Sequence, residues 1–329
     1  MRKLSTVALL TAAAVSFIAA DVVCVKDAGA QAWPTRQAIR IVVPFAPGGS
    51  GDFSVRMIAD PLRLALGQTV VVENKVGAGG NIGSESVARS APDGYTLLMA
   101  TDGFGLIPHL YKSLPFDPMK DFAPIIQLTR QPILLAAHPS TGVTSAQELI
   151  PAARKAGGLG YATSGVGTQQ HLIGEIFMSV TGAPMNHVPY RGGGQAITDF
   201  IGGQVPVAVL GSTPLYQHYK AGTIKVLAQS TKGRSPALPD VPTFAEAGVQ
   251  GIQVEQWLGI VAPAKTPPDI LARLNAEIGK ILADPAIRER FLAQAIEPVG
   301  GSIQQFSAQI DDDYKRYGGL VKQFNIKVE

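Results

Sequence analysis

From Ile39 onward, short apolar runs alternate with stretches of helical period. "IRIVVPF" is followed by a segment from Phe53 to Leu66, "QTVVVENK" by one from Asn81 to Arg89, and then comes "YTLLMAT". Apolar runs of four to eight residues bounded by Gly or Pro read as strands, and their alternation with helices predicts a parallel or mixed sheet covered on both faces. Helix starts are legible as well. Ser145 and Ser302, each followed three residues later by Glu148 or Gln305, predict capping boxes, the first helix running to the Gly157–Gly158 stop. Thr266-Pro-Pro-Asp269 places prolines in a first helical turn, with Ile270, Leu274, Ile278 and Ile281 repeating on one face. There is no internal repeat and no low-complexity linker. Two lobes would therefore exchange chain by crossovers, expected near Gln127–Gln131 and Glu255–Gly259.

Three glycine loops stand between a strand and a helix. They are Pro44 to Asp52 ("PFAPGGSGD"), Gly77 to Asn81 ("GAGGN") and "GYATSGVGTQQHL", residues 160 to 172. A helix start presents unpaired N–H groups and the positive end of the dipole, and glycine lets the backbone come close to a ligand. Such loops suit anions, although any one of them taken alone reads equally well as a tight turn. The first loop ends Gly51-Asp52-Phe53 without the lysine of a phosphate-binding P-loop, and Gly49-Ser-Gly51 lacks the third glycine of a dinucleotide loop. Asp52 would repel a phosphate. A carboxylate fits better, with Thr163, Ser164 and Thr168 as hydroxyl donors. A fourth stretch, "HVPYRGGGQAITDFIGGQVPVAVLG", sets Arg191 beside three glycines, where a guanidinium could pair bidentately with a carboxylate or simply face solvent.

Catalytic patterns fail in turn. Ser164 is flanked by Ala162 and Val166 where a nucleophile elbow needs glycines, and His171 in a first helical turn reads as a capping or packing residue. His109, His138, His187 and His218 stand apart without metal-ligand spacing, so neither metal nor cofactor is expected. Asp311–Asp313 lacks the alternation of a calcium loop and is expected to be a solvated helix face. No enzyme activity is expected.

The amino terminus changes the setting. Arg2 and Lys3 precede an apolar stretch from Leu4 to Ala20, and Ala-x-Ala spacing follows at Ala28–Ala30 and Ala30–Ala32, the layout of a cleaved signal peptide over residues 1–32 and hence of a periplasmic protein. The single cysteine, Cys24, lies in that leader, so the mature chain would carry no thiol, disulfide or Cys-ligated metal. The leader takes three cations and two acids with it, changing the net charge from +3 to +2. No basic block remains, which argues against nucleic acid as a partner. With 46% hydrophobic and 16% charged residues, the 329-residue chain can build two medium-sized cores.

These ordered motifs, together with "LYKSLPFDPMKDFAPI" and "LPDVPTFAEAG", resemble the Bug-type, TctC-like solute-binding proteins of tripartite tricarboxylate transporters over nearly all of the mature chain. The resemblance implies an α/β fold of the periplasmic-binding-protein type II kind, two lobes joined by crossover strands around a ligand cleft. Lobe 1 would span 33–128 and 258–329, and lobe 2 would span 129–257. It further implies a monomer that binds a small mono- or dicarboxylate and hands it to membrane permease subunits; the alternative is a sensor that signals to a membrane receptor. Carried onto this sequence, the carboxylate would be held by Phe45, Pro47, Gly48, Gly49, Ser50 and Asp52 from one loop and by Thr163, Ser164, Gly165, Gly167, Thr168 and His171 from the other. Thr101 would stand in the cleft, and Arg191 with Gly211–Thr213 would read the distal end. The chain departs from the family pattern at Ser164 (often Pro), Ile107 (often Asn) and Val209-Leu210 (often Phe-Asp). Leu210, Phe104 and Ile107 then imply a more apolar cleft, favouring an unsubstituted or aromatic acid.

Overall fold

The computed structural model describes residues 33–327; the expected leader, with Cys24 and the cleavage site, lies outside the described residues. The first part of the chain builds β1 (Ile39–Val43), α1 (Ser50–Leu66), β2 (Val70–Asn74), α2 (Asn81–Ala88), β3 (Thr96–Thr101) and α3 (Gly103–Leu110). The 16-residue β4 (Phe122–Ala137) then leads into α4 (Ala146–Lys155), β5 (Leu159–Thr163), α5 (Gln169–Thr181), β6 (Met185–Pro189), α6 (Gly193–Ile201), β7 (Val207–Gly211), α7 (Ser212–Lys220) and β8 (Lys225–Gln229). The chain returns through β9 (Glu255–Pro263) to α8 (Pro268–Ala283), α9 (Pro285–Leu292), β10 (Glu297–Gly300) and α10 (Ile303–Gln323).

The strands follow the order β2-β1-β3-β9-β4-β7-β5-β6, with β8 and β10 both pairing on β4. The β1–β2, β1–β3, β5–β6 and β5–β7 pairs are parallel, and all pairs of β4 are antiparallel. β4 carries the crossover: Phe122 to Pro132 pairs with β9, whereas Ile133 to Ala137 pairs with β7. β9 is the return crossing, in register Gln131↔Gln256 and Pro132↔Glu255. β4 changes partner between Pro132 and Ile133, and β9 begins at Glu255.

Strand alternation divides each half-sheet between two cores. Ile39, Ile41, Val43, Leu97 and Met99 face α1 and α8, while Val42, Leu98 and Ala100 face Phe306 and Ile310 of α10. In the second half, Ile133, Leu135, Val207 and Val209 pack with α5, while Leu134, Ala136, Ala208 and Leu210 pack with Ala196 and Phe200 of α6. Burial on both faces explains the continuous apolar runs of the sequence. Tyr317 and Ile326, at the far end of α10, join the second-half core, so the last helix braces both halves.

The local expectations need three adjustments. The capping box at Ser302–Gln305 is complete. At Ser145 only half of one forms: Ser145 accepts from the Glu148 N–H, but the Glu148 carboxylate turns to the N–H and hydroxyl of Thr144. Helix α1 opens at Ser50, three residues earlier than read, because Gly49 supplies an extended N-cap and Gly51 after it accepts helical angles. Asp313, expected to be solvated, is buried. Its carboxylate accepts from the Trp257 indole, the Gln309 amide and the Arg316 guanidinium, so the helix face at Asp311 and Asp312 is solvated while the third aspartate points inward.

Candidate functional site

Six helices aim their amino ends at one cleft between the half-sheets. A first chamber of about 40 Å³ is lined by Gly49 and Ser50 at the start of α1, Gln169 and Gln170 at the start of α5, Gly193 of α6 and Gly211 before α7. A second, of about 20 Å³, is lined by Gly80 and Asn81 at α2, Gly103 at α3, and Gly167 and Thr168 before α5. Phe45, Met99, Thr101 and Thr168 line both. Among the described residues no lysine, arginine or histidine lines either chamber, and Asp52 is the one charged side chain. An anion in the cleft would therefore be met by helix dipoles and backbone N–H groups, each helix end carrying roughly half a unit charge.

The two halves are closed on each other. Ala46 donates its backbone N–H to the Arg191 carbonyl at 2.9 Å. A Cβ on Gly194 would stand 1.9 Å from the Pro47 carbonyl oxygen, one on Gly79 2.2 Å from that of Val166, and one on Gly192 2.7 Å from the Ala46 nitrogen. Glycines thus let backbone meet backbone across the cleft, a tertiary reason for loops that read locally as turns.

Asp52 organises the first loop. Its carboxylate accepts from the Gly48 N–H at 3.1 Å, from Arg56 Nε at 2.9 Å and from Asn74 Nδ2 at 3.0 Å, and Asn74 also donates to the Phe45 carbonyl. Burial works to raise its pKa, but the bonds from Arg56, Asn74 and Gly48 outweigh it and hold the carboxyl below its ordinary value. On the opposite wall Thr168 caps α5, accepting from the His171 N–H while its hydroxyl donates to the Gly165 carbonyl. Behind it His171 stacks on His187 at 4.1 Å between ring centroids, its Nδ1 accepting from the Gly167 N–H and its Nε2 lying 3.5 Å from Glu175. Burial, and then the neighbouring His171, drive His187 down to about 3, so that ring is neutral and meets the Thr163 hydroxyl at 2.7 Å. The floor is a pair of glutamines on the crossing strands. Gln131 Nε2 donates to Gln256 Oε1 at 2.7 Å, and the Thr213 hydroxyl donates to Gln131 Oε1 at 2.9 Å.

Of the sequence-derived site residues, Phe45, Gly49, Ser50, Asp52, Thr101, Ser164, Gly167 and Thr168 line the chambers. Thr163, Gly165 and His171 form the layer behind them, and Pro47 and Gly48 face outward on the first loop. The Arg191 side chain is exposed and lies outside both chambers, which its carbonyl alone approaches through Ala46. Leu210 belongs to the core against α6 and reaches neither chamber, so the apolar character attributed to it comes instead from Met99, Leu258, Phe104 and Ile107. Sequence reasoning missed Gln131, Gln256 and Gln169. Each is a polar residue in or beside a buried run, and that was the available signal. Gln169 matters most: it is buried, it lines the first chamber, and its Nε2 has no hydrogen-bond partner among the described residues. A buried donor left unpaired costs on the order of 1–3 kcal/mol.

The chain matches the receptor family of the tripartite tricarboxylate transporters, TctC, over residues 54–326. It belongs to that family. Protein BugT of Bordetella pertussis is 35% identical over 307 residues, covering 91% of this chain and 93% of BugT. Among solved structures, R. palustris Rpa4515 with adipate is 35% identical with a TM-score of 0.85, covering 90% of this chain and 99% of that one. MatC from Rhodopseudomonas palustris with bound malate is 29% identical with a TM-score of 0.83, covering 87% and 99%. The TctC fold is that of the two-lobed periplasmic solute-binding proteins, and this receptor shares it. No helix among the described residues is long and apolar enough to cross a membrane.

One buried acid beside the cleft carries a pH prediction. Asp102, between the chamber residues Thr101 and Gly103, is wholly buried and accepts from the Tyr317 hydroxyl at 2.7 Å. Burial, and then repulsion from Asp313, raise its pKa well above the ordinary value. An acid whose folded pKa is raised contributes stability below its unfolded pKa of about 4, and that contribution is lost as the pH rises through the folded value. Asp102→Asn keeps an acceptor for Tyr317 without the charge. Its stability relative to the parent should rise with pH above about 4, measured by urea unfolding across pH 4 to 8. A difference independent of pH would show that Asp102 does not titrate abnormally.

Proposed function

We propose that this receptor captures a small mono- or dicarboxylate between two lobes, residues 33–128 with 258–329 and residues 129–257, and delivers it to a tripartite tricarboxylate-type membrane permease. The observation that carries the reading is the convergence of six helix amino ends on chambers lined by no cationic side chain. An array of backbone dipoles suits a carboxylate, which needs several short hydrogen bonds and modest neutralisation. In this reading Gln169 Nε2, Thr101 and Ser164 supply directional contacts around the carboxylate. Asp52 holds the loop of Phe45, Gly49 and Ser50 in place. Met99, Phe104, Ile107 and Leu258 receive the carbon chain.

The adipate and malate of the two structural neighbours support this class of ligand. Capture then needs no bond making: the acid has only to bind the closed arrangement more tightly than the open one. The test is a thermal-shift screen of the mature protein against adipate, malate, benzoate and, as controls, a neutral sugar and an amine. An acid at a hundredfold excess over its Kd stabilises by about 2.7 kcal/mol. Stabilisation by the sugar or the amine with none by any acid overturns the reading.

A further inference from the structure

A larger pocket lies on the other face of the crossing strands. Gln256 lines the cleft, its neighbour Glu255 turns away from it by strand alternation, and opposite it on the paired strand stand Arg130, Gln131 and Pro132. With Glu255 these three line a pocket of about 500 Å³, more than ten times the volume of the first cleft chamber. Its walls come from both halves of the molecule. The loop after β8 contributes Lys232, Arg234 and Pro236, and α9 and the residues after it contribute Arg288, Leu292 and Ile296.

The charges in this pocket are unequally engaged. Arg130 is held by Glu297 through two bonds of 2.7 and 2.8 Å, Arg234 pairs with Glu246, and Arg316 pairs with Asp313. Arg288 reaches only a carbonyl, that of Pro298 at 3.3 Å, and Lys232 makes no ion pair among the described residues. One cation from each half is thus left for a ligand. The remaining wall acid, Glu255, is half exposed and lies 4.0 Å from the Arg130 guanidinium, which offsets its charge. The lining also carries Pro236, Ile296 and Leu292, the last of them half exposed.

We propose that this hinge pocket is a second binding site, for a small amphiphilic anion: a carboxylate or phosphate ester with a short apolar body. The anionic head lies between Lys232 and Arg288, and the body lies on Leu292, Pro236 and Ile296. A pocket of this size with apolar walls and a few converging polar groups suits a small molecule better than a protein segment. If the lobes open about β4 and β9, as the proposed capture requires, widening the cleft narrows the space behind those strands. An occupant of the hinge pocket therefore favours closure and tightens the cleft for its acid, and the cleft ligand must tighten the hinge site by the same factor.

The probe is phenyl phosphate, titrated calorimetrically into the mature protein, with inorganic phosphate and adipate as comparisons. The expected result is saturable 1:1 binding that the double variant Lys232→Glu/Arg288→Glu weakens at least tenfold. Leu292→Ser should weaken phenyl phosphate but leave inorganic phosphate unaffected. Adipate should leave the hinge site open and raise its affinity by about fivefold or more. Competition by adipate would place the probe in the cleft, and equal binding by the double variant would place it elsewhere; either result, or no saturable binding, overturns the site. Unchanged affinity under saturating adipate overturns the coupling. If adipate itself fails to bind, the capture reading fails while the phenyl phosphate titration still decides the hinge site.

Discussion

Gly194→Ala should weaken acid binding roughly a hundredfold while leaving the ligand-free protein at least as stable as its parent. Gly194 stands in the first turn of α6 without a left-handed backbone, so an alanine strains nothing locally and should add a few tenths to about 1 kcal/mol of helix stability. Its Cβ, however, would stand 1.9 Å from the Pro47 carbonyl oxygen across the cleft. The clash exists in the closed arrangement, and the atom it meets is backbone, which cannot rotate away. A penalty of about 3 kcal/mol on closure lowers acid affinity roughly a hundredfold. Calorimetric titration of the acid found by the screen, with a melting curve of the free protein beside it, reads both quantities. Affinity within threefold of the parent would mean that ligand capture does not use this contact. Gly79 makes a similar approach to Val166, but its positive φ of 63° would mix local strain into the result, which makes Gly194 the cleaner position.

The second large effect belongs to Asp313. Its buried carboxylate is shared by Trp257 of β9, by Gln309 one turn back on α10, and by Arg316, whose guanidinium also donates to the Gln253 carbonyl just ahead of β9. Removing the carboxylate leaves the Trp257 indole N–H and a largely covered guanidinium without their acceptor. Breaking a buried pair in this way costs about 3–5 kcal/mol, far more than the pair contributes relative to an apolar replacement. Asp313→Ala should therefore shift the urea midpoint down with little change in slope. Asp313→Asn, which keeps an acceptor for Trp257, should lose less. Part of the loss is offset, because Asp313 also repels the buried Asp102. A loss below about 1 kcal/mol would show that the bridge between α10 and β9 is held by packing instead.

The elements were largely readable because their signals are local. The apolar runs at β1 to β3 needed only period and punctuation, and the helix from Pro268 needed only Thr266-Pro-Pro and its repeating isoleucines. Family motifs extended the reading to the jaws, and Gly49, Ser50, Thr101 and Thr168 do line the cleft. The misreadings share one physical cause. Leu210 stands where an apolar cleft wall is expected, but strand alternation turns it into the core; Arg191, which the sequence leaves open between ligand group and surface residue, has its carbonyl taken up by Ala46 and its side chain exposed. Asp313 was read with its two neighbours as one charge run, although 100° of helical rotation per residue gives adjacent positions different surroundings. Gln131 and Gln256 are 125 residues apart and acquire meaning only as partners.

By itself, then, the sequence determined the alternation of strands and helices, the family, and the presence of glycine loops at helix starts. Those features rest on periodicity, on backbone permissiveness and on residues close together in the chain. Only the tertiary structure decided that six helix starts meet at one cleft, that Gly194 is glycine because Pro47 faces it, that Gln169 carries the unpaired donor, and that Lys232 and Arg288 line one pocket behind β4 and β9. Each of these depends on distances between segments far apart in sequence, which local propensity does not encode.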